Sequence, residues 1–111
     1  MNNLAKRPPE FRNGYKDKAR MAAIHELPCL ACKRVKATQV APTEAHHLIG
    51  YGIGKKASDL FTIPLCSVHH ARGNKGSAIH ETPIKTWQSI FGTQEELLEE
   101  TNDLLLTLKS F

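Results

Sequence analysis

The spacing Cys29-x2-Cys32 with Cys66-x2-His69 constrains the fold of this chain more than any other feature. Each close pair can grip one edge of a tetrahedron from a tight turn, which is what a structural zinc site requires. Thirty-three residues separate Cys32 from Cys66, and all three cysteines of the chain fall within the pattern. An odd cysteine count, with a start MNNLAKRPPE that lacks an apolar stretch, argues against a disulfide framework and against export. The competing arrangement packs three free cysteines as small hydrophobes. The paired spacing favours a zinc knuckle made of Cys29, Cys32, Cys66 and His69. A chain of 111 residues builds one modest core, so a metal there would contribute much of the folding free energy.

Composition narrows the class. Hydrophobic residues at 41% and charged residues at 23% suit a globular chain. No apolar run approaches the roughly 18 residues of a membrane span. The net charge of +4 is unevenly spread. Residues 1–20 carry six Lys/Arg against two acids, residues 21–92 eight against four, and residues 93–111 one against five. The basic portion suits a polyanion such as nucleic acid, since phosphate neutralisation releases counterions. An ordinary solvated basic surface would have the same balance, so charge alone does not decide.

The first twenty residues, with Pro8-Pro9 and Gly14 among scattered charges, read as a basic, flexible arm. Its cations are Lys6, Arg7, Arg12, Lys16, Lys18 and Arg20. A helix is expected from about Asp17 to Leu27, stopped by Pro28. The segment Thr43 to Ile49 can form a strand, and Leu60 to Leu65 a second one, bounded by turn signals. SVHHARGNKG after Cys66 reads as a helical turn ended by Gly73 or Gly76. The next helix should open with Thr82 as N-cap and Pro83 at the first position, and end at Gly92. Thr93 and Glu96 form a capping box for a last helix over about 94–109, burying Leu97, Leu98, Leu104, Leu105 and Leu108. Residues 21–92 thus hold the zinc-knuckle domain and residues 93–111 an acidic, Leu-rich helix.

The histidines supply a second constellation. His46 and His47 are adjacent on the expected strand, so their side chains point to opposite faces. One can ligate a metal while the other faces a substrate. His69 and His70 split in the same way, and His80 lies farther along. Surface histidines are the plainer explanation for any one of them, but two His-His pairs flanking a knuckle are less common. The loop Gly50/Gly52/Gly54 with Lys55 and Lys56 is no phosphate-binding Walker loop, because the GxxxxGK[ST] spacing is absent. It is a flexible basic connector that could lie against nucleic acid.

These residues, in this order, resemble the HNH endonucleases (ββα-metal or His-Me fingers). The matching segments are EAHHLIG (44–50) and DLFTIPLCSVHH (59–70). The detail IPLCSVHH, then AIHE, a Trp-containing helix and FGTQ (91–94), is similar to the Ref-type recombination-enhancement nucleases of phages. The resemblance covers about residues 28–94. It implies His46 as a ligand of a catalytic metal, His47 as general base and His70 as a second ligand. A neutral imidazole titrating near ~6.5 can take a proton from water at cellular pH. Two departures stand out. The family commonly carries an Asn about nine residues before the helix His; here Phe61 holds that place and Asp59 is the nearest polar substitute. Some relatives carry a His four residues after that ligand; here it is Asn74, and His80 is the other candidate.

The expected fold is α+β, a small zinc-stabilised ββα-metal finger with flanking helices and a basic N-terminal arm. The expected function is a metal-dependent DNA endonuclease in phage or prophage recombination, replication or packaging, working in the cytoplasm of a bacterial host. Its cofactors would be a structural Zn²⁺ and a catalytic divalent cation, Mg²⁺ or Mn²⁺, with Zn²⁺ a further candidate. Its partners would be DNA and a recombination or other recruiting protein, with no membrane and no small-molecule substrate. The competing class is a non-catalytic zinc-bound DNA-binding module derived from the same fold. A protein-interaction adaptor would rest only on the acidic C-terminal helix, which core packing explains more simply.

Overall fold

The Asp17 carboxylate accepts the Arg20 amide at 2.9 Å and so caps helix α1 (Lys18–His25), satisfying a donor that the helix itself cannot. In a computed structural model, which describes residues 8–52 and 57–109, this helix is the first regular element after a short turn at Pro9–Phe11. Pro28 separates it from α2 (Leu30–Arg34), a single turn over the first cysteine pair. Strands β1 (Thr43–His47) and β2 (Thr62–Cys66) follow, then a five-residue π-helical turn, Val68–Arg72. A turn at Ile79–Glu81 leads into α3 (Ile84–Phe91), and α4 (Gln94–Lys109) ends the described chain.

The two strands pair antiparallel, with Thr43 opposite Cys66, His46 opposite Ile63 and His47 opposite Thr62. Ser67 donates its amide to the Pro42 carbonyl and Leu48 donates to Phe61. With those bonds bracketing the ladder, Pro64 falls at a position that donates nothing to β1, the only kind of place a strand tolerates proline. The result is a small α+β structure around a two-stranded sheet.

Every residue of β2 is buried. One core surrounds Leu30, Ile63, Leu65, Ile79, Trp87, Phe91 and Leu97, and it includes all three cysteines. A second, formed by Ile24, Leu27 and Leu105, packs with Ala45 under the other face of the sheet. Helix α4 serves both, since Leu97 belongs to the first and Leu105 to the second. Its capping box is present: Thr93 donates its amide to Glu96 Oε1 at 2.9 Å, and Glu96 donates to Thr93 Oγ1 at 3.1 Å. The acidic face is also used, because Glu100 accepts from Lys33 at 2.7 Å and Arg34 at 3.3 Å. Gly92 between α3 and α4 has φ +99°, and a Cβ there would stand 2.4 Å from Arg34 Nη1. Glycine alone fits that corner.

Three local expectations are corrected. Leu108 is 44% exposed rather than buried. It lies on the last turn of α4, beyond the core, and lines a half-open groove of about 480 Å³ with Ala19, Ala23, Leu60 and Leu105. Thr82 does not cap α3: its hydroxyl donates to Ala78 O at 2.7 Å and accepts the Gly76 amide at 2.8 Å, which ties together the preceding turn. The described part of the arm contacts the fold. Ser58 Oγ donates to Glu10 O, Phe11 stacks on Phe61 at 6.0 Å, and Asp59 donates its amide to Tyr15 O at 3.0 Å. Among the described residues, no helix is long and apolar enough to cross a membrane.

Candidate metal centres

The first centre is built by two turns. The turn at α2 carries Cys29 and Cys32, and the end of β2 with the π-helical turn carries Cys66 and His69. His69 Nδ1 stands 3.6 Å from Cys29 Sγ, 3.4 Å from Cys32 Sγ and 3.4 Å from Cys66 Sγ. Cys32 Sγ and Cys66 Sγ are 3.9 Å apart, and no disulfide joins them. A tetrahedral zinc with bonds of about 2.3 Å to sulfur and about 2.0 Å to nitrogen has edges of about 3.8 Å between sulfurs and about 3.5 Å from sulfur to nitrogen. The donors match that frame, so the group could hold a structural metal such as zinc. Burial pushes the Cys32 thiol up to about 12, and the neighbouring Cys29 thiolate adds to the shift. Cys29 is raised too, again chiefly by burial. Burial thus disfavours the thiolates of Cys29 and Cys32, and a bound cation would offset that cost.

The second centre brings together His46 from β1, His70 from the π-helical turn and His80 from the Ile79–Glu81 turn. Their ring centroids are 5.1, 5.2 and 4.9 Å apart, and one nitrogen of each lies within 4.8 Å of the others, so these three could also hold an ion. His46 is fully buried. Burial lowers its pKa to about 3, and His80 is lowered by burial and by the nearby His70. His46 Nε2 is 3.2 Å from Gln94 Oε1, while its Nδ1 is buried with no hydrogen-bond partner. His70 Nδ1 is 2.8 Å from Glu44 Oε1. Asn74 is exposed, and its main-chain carbonyl accepts from Ser77 and Ala78 at 2.9 and 3.0 Å.

Strand alternation carries His47 to the opposite face from His46. There its Nε2 meets Asp59 Oδ1 at 2.7 Å, with the two side chains 18% and 7% exposed. Asp59 Oδ2 also accepts the Asp17 amide at 2.8 Å. Burial alone would raise the Asp59 carboxyl, but the hydrogen bonds from His47 and Asp17 outweigh it and hold it below its ordinary value. Asp59 is thus an orienting partner of His47 rather than a member of the three-histidine group. Phe61 braces nothing polar; its ring packs between Phe11 and Tyr51.

The cations expected to meet DNA divide into three sets. Lys6, Arg7, Lys55 and Lys56 lie outside the described residues. Arg12, Lys16 and Lys18 are exposed. Arg20 is committed within the fold: it donates to Thr62 Oγ1 at 2.9 Å, Thr62 O at 2.8 Å and Asn102 Oδ1 at 2.8 Å, joining α1 to β2 and α4. Two residues of the second centre escaped the sequence. Glu44 shares the alternating face of His46, which is a weak local signal. Gln94 lies forty-eight positions from His46, and no sequence pattern connects them.

The chain is similar to the uncharacterized protein YdfU of Escherichia coli (strain K12), with 33% identity over 88 residues, 77% of this chain and 22% of that protein. It therefore spans about a fifth of that relative's length. No solved structure matches it. The family described as Protein of unknown function (DUF968) matches residues 4–108, almost the whole length, and the chain belongs to that family.

Proposed function

We propose that this protein is a metal-dependent DNA endonuclease of HNH type, with His47 as general base and His46, His70 and His80 as ligands of a catalytic divalent cation. The observation that carries the proposal is the pair of adjacent histidines closing β1. His46 belongs to a three-histidine group and keeps one buried acceptor without a donor, while His47 is held by a carboxylate. With its Nε2 hydrogen directed to Asp59, His47 keeps Nδ1 free to accept a proton from water. Hydroxide then attacks phosphorus, the bond to the 3′ oxygen breaks, solvent protonates the leaving oxygen, and a 5′-phosphate remains. A divalent cation held by His46, His70 and His80 would supply charge stabilisation to the scissile phosphate. The Cys29, Cys32, Cys66 and His69 set supports the turn that presents His70. Action in phage or prophage recombination, replication or packaging, in a bacterial cytoplasm and with a recruiting protein, belongs to the same proposal.

Nicking of supercoiled and single-stranded DNA with Mg²⁺ or Mn²⁺, wild type against His47→Ala, tests it. Metal-dependent nicks that disappear in the variant support the proposal. DNA binding without cleavage under any divalent metal would decide for a zinc-stabilised binding module, a reading favoured by Phe61 standing where the resembling nucleases carry Asn.

A further inference from the structure

We infer that Gln94 is a positioning residue that holds His46 as the Nε2–H tautomer and so presents Nδ1 as a metal-binding lone pair. The inference rests on the proposed role of His46 as a ligand. The orientation of the Gln94 amide is fixed by the backbone of Ile49: its Oε1 accepts the Ile49 amide at 2.8 Å, and its Nε2 donates to the Ile49 carbonyl at 3.0 Å. The atom facing His46 Nε2 at 3.2 Å is therefore the amide oxygen. An oxygen there needs a donor, so His46 carries its hydrogen on Nε2. Nδ1 is left as an acceptor, and it is the buried side-chain nitrogen or oxygen that finds no partner among the described residues.

A buried orphan acceptor is costly if nothing fills it. Metal-ligating histidines almost always give their second ring N–H to an oxygen, which fixes the tautomer and the ring orientation. Gln94 supplies that oxygen. Its own place is doubly set, by the Thr93–Glu96 capping box at the start of α4 and by its amide donating to Gln88 Oε1 at 2.8 Å. Glu44 does the complementary service for His70, whose Nδ1 it engages and whose Nε2 it leaves available. The two ligands thus use opposite nitrogens, each chosen by a different partner.

The test is imidazole ¹⁵N NMR of zinc-loaded, full-length protein, with Mn²⁺ titration of the same samples. Wild type should show His46 as a single Nε2–H tautomer before Mn²⁺ is added. In Gln94→Met, which keeps length but removes the acceptor, the tautomers should mix and Mn²⁺ affinity should fall about 10–100-fold. Gln94→Glu keeps an oxygen acceptor for His46 Nε2 but puts a carboxylate oxygen where the donor to Ile49 was, so the tautomer should survive. An unchanged His46 tautomer in Gln94→Met would overturn the inference. Equal loss of the tautomer in the Glu and Met variants would also overturn it, since the clamp on Ile49 would then be what matters. These readouts precede any cleavage, so a protein that fails to cut DNA would sink the nuclease proposal without touching this result.

Discussion

His69 and His70 are consecutive residues that serve different centres. His69 Nδ1 lies 3.4 Å from the sulfurs of Cys32 and Cys66, while the His70 ring is 5.1 Å from that of His46. Both lie on the π-helical turn Val68–Arg72, where consecutive side chains diverge as they do on any helical turn. A single peptide bond therefore joins the two centres.

Purified protein is expected to carry about one tightly held zinc per chain, and chelation should unfold it. Cys29→Ser should cost folding before chemistry, and should also weaken Mn²⁺ binding at the three histidines through the shared turn. Because burial keeps the Cys29 and Cys32 thiols protonated in the absence of a cation, zinc uptake should release protons. Calorimetry in buffers of different ionisation enthalpy measures that release. A folded, unchelated sample without zinc in elemental analysis would refute the structural role.

His47→Ala should lower cleavage on the order of 10²–10⁴-fold, the usual worth of general base catalysis, with DNA binding barely changed. Asp59→Asn should reduce cleavage while leaving Mn²⁺ affinity intact, since Asp59 touches His47 and not the three-histidine group. His46→Ala should instead raise the metal concentration required. Metal titrations of the cleavage rate separate the three outcomes.

Acid should destabilise the fold through His46. Its folded pKa of about 3 lies below the unfolded value of about 6.5. As pH falls, the unfolded chain takes the proton first. Stability is thus complete above about pH 6.5 and is lost toward pH 3 at about 1.4 kcal/mol per pH unit. His80 is depressed in the same direction and adds to the slope. Urea midpoints of zinc-loaded protein without a second metal should show a shallower pH dependence in His46→Gln than in wild type.

Cations of the arm and of the fold should behave differently. Deleting residues 2–7 removes Lys6 and Arg7. The slope of log K against log salt for duplex DNA should flatten by about 0.9 for each phosphate that the shortened arm no longer neutralises. Arg20→Ala should leave that slope alone and lower stability, because charge-assisted hydrogen bonds of this kind are worth about 1.5–3 kcal/mol. An Arg20 variant with normal stability and a flattened slope would reverse the assignment.

Short-range chemistry was legible in the sequence. The cysteine pairs, the Thr93–Glu96 box and the stop at Pro28 each act within one turn of chain, so residue type and spacing suffice to find them. Alternation along β1 likewise separated His46 from His47 before any fold was known. Long-range partnership was not legible. Asp59 reaches His47, Gln94 reaches His46, Arg20 turns inward to Thr62 and His80 joins the histidines, because α1, α4 and the Ile79–Glu81 turn pack where they do around the sheet. Those positions follow from burying Leu97 and Trp87 in one core and Leu105 and Ile24 in the other. Apolar packing is non-directional and carries no sequence spacing of its own, so only the tertiary structure could say which polar side chains it would bring face to face.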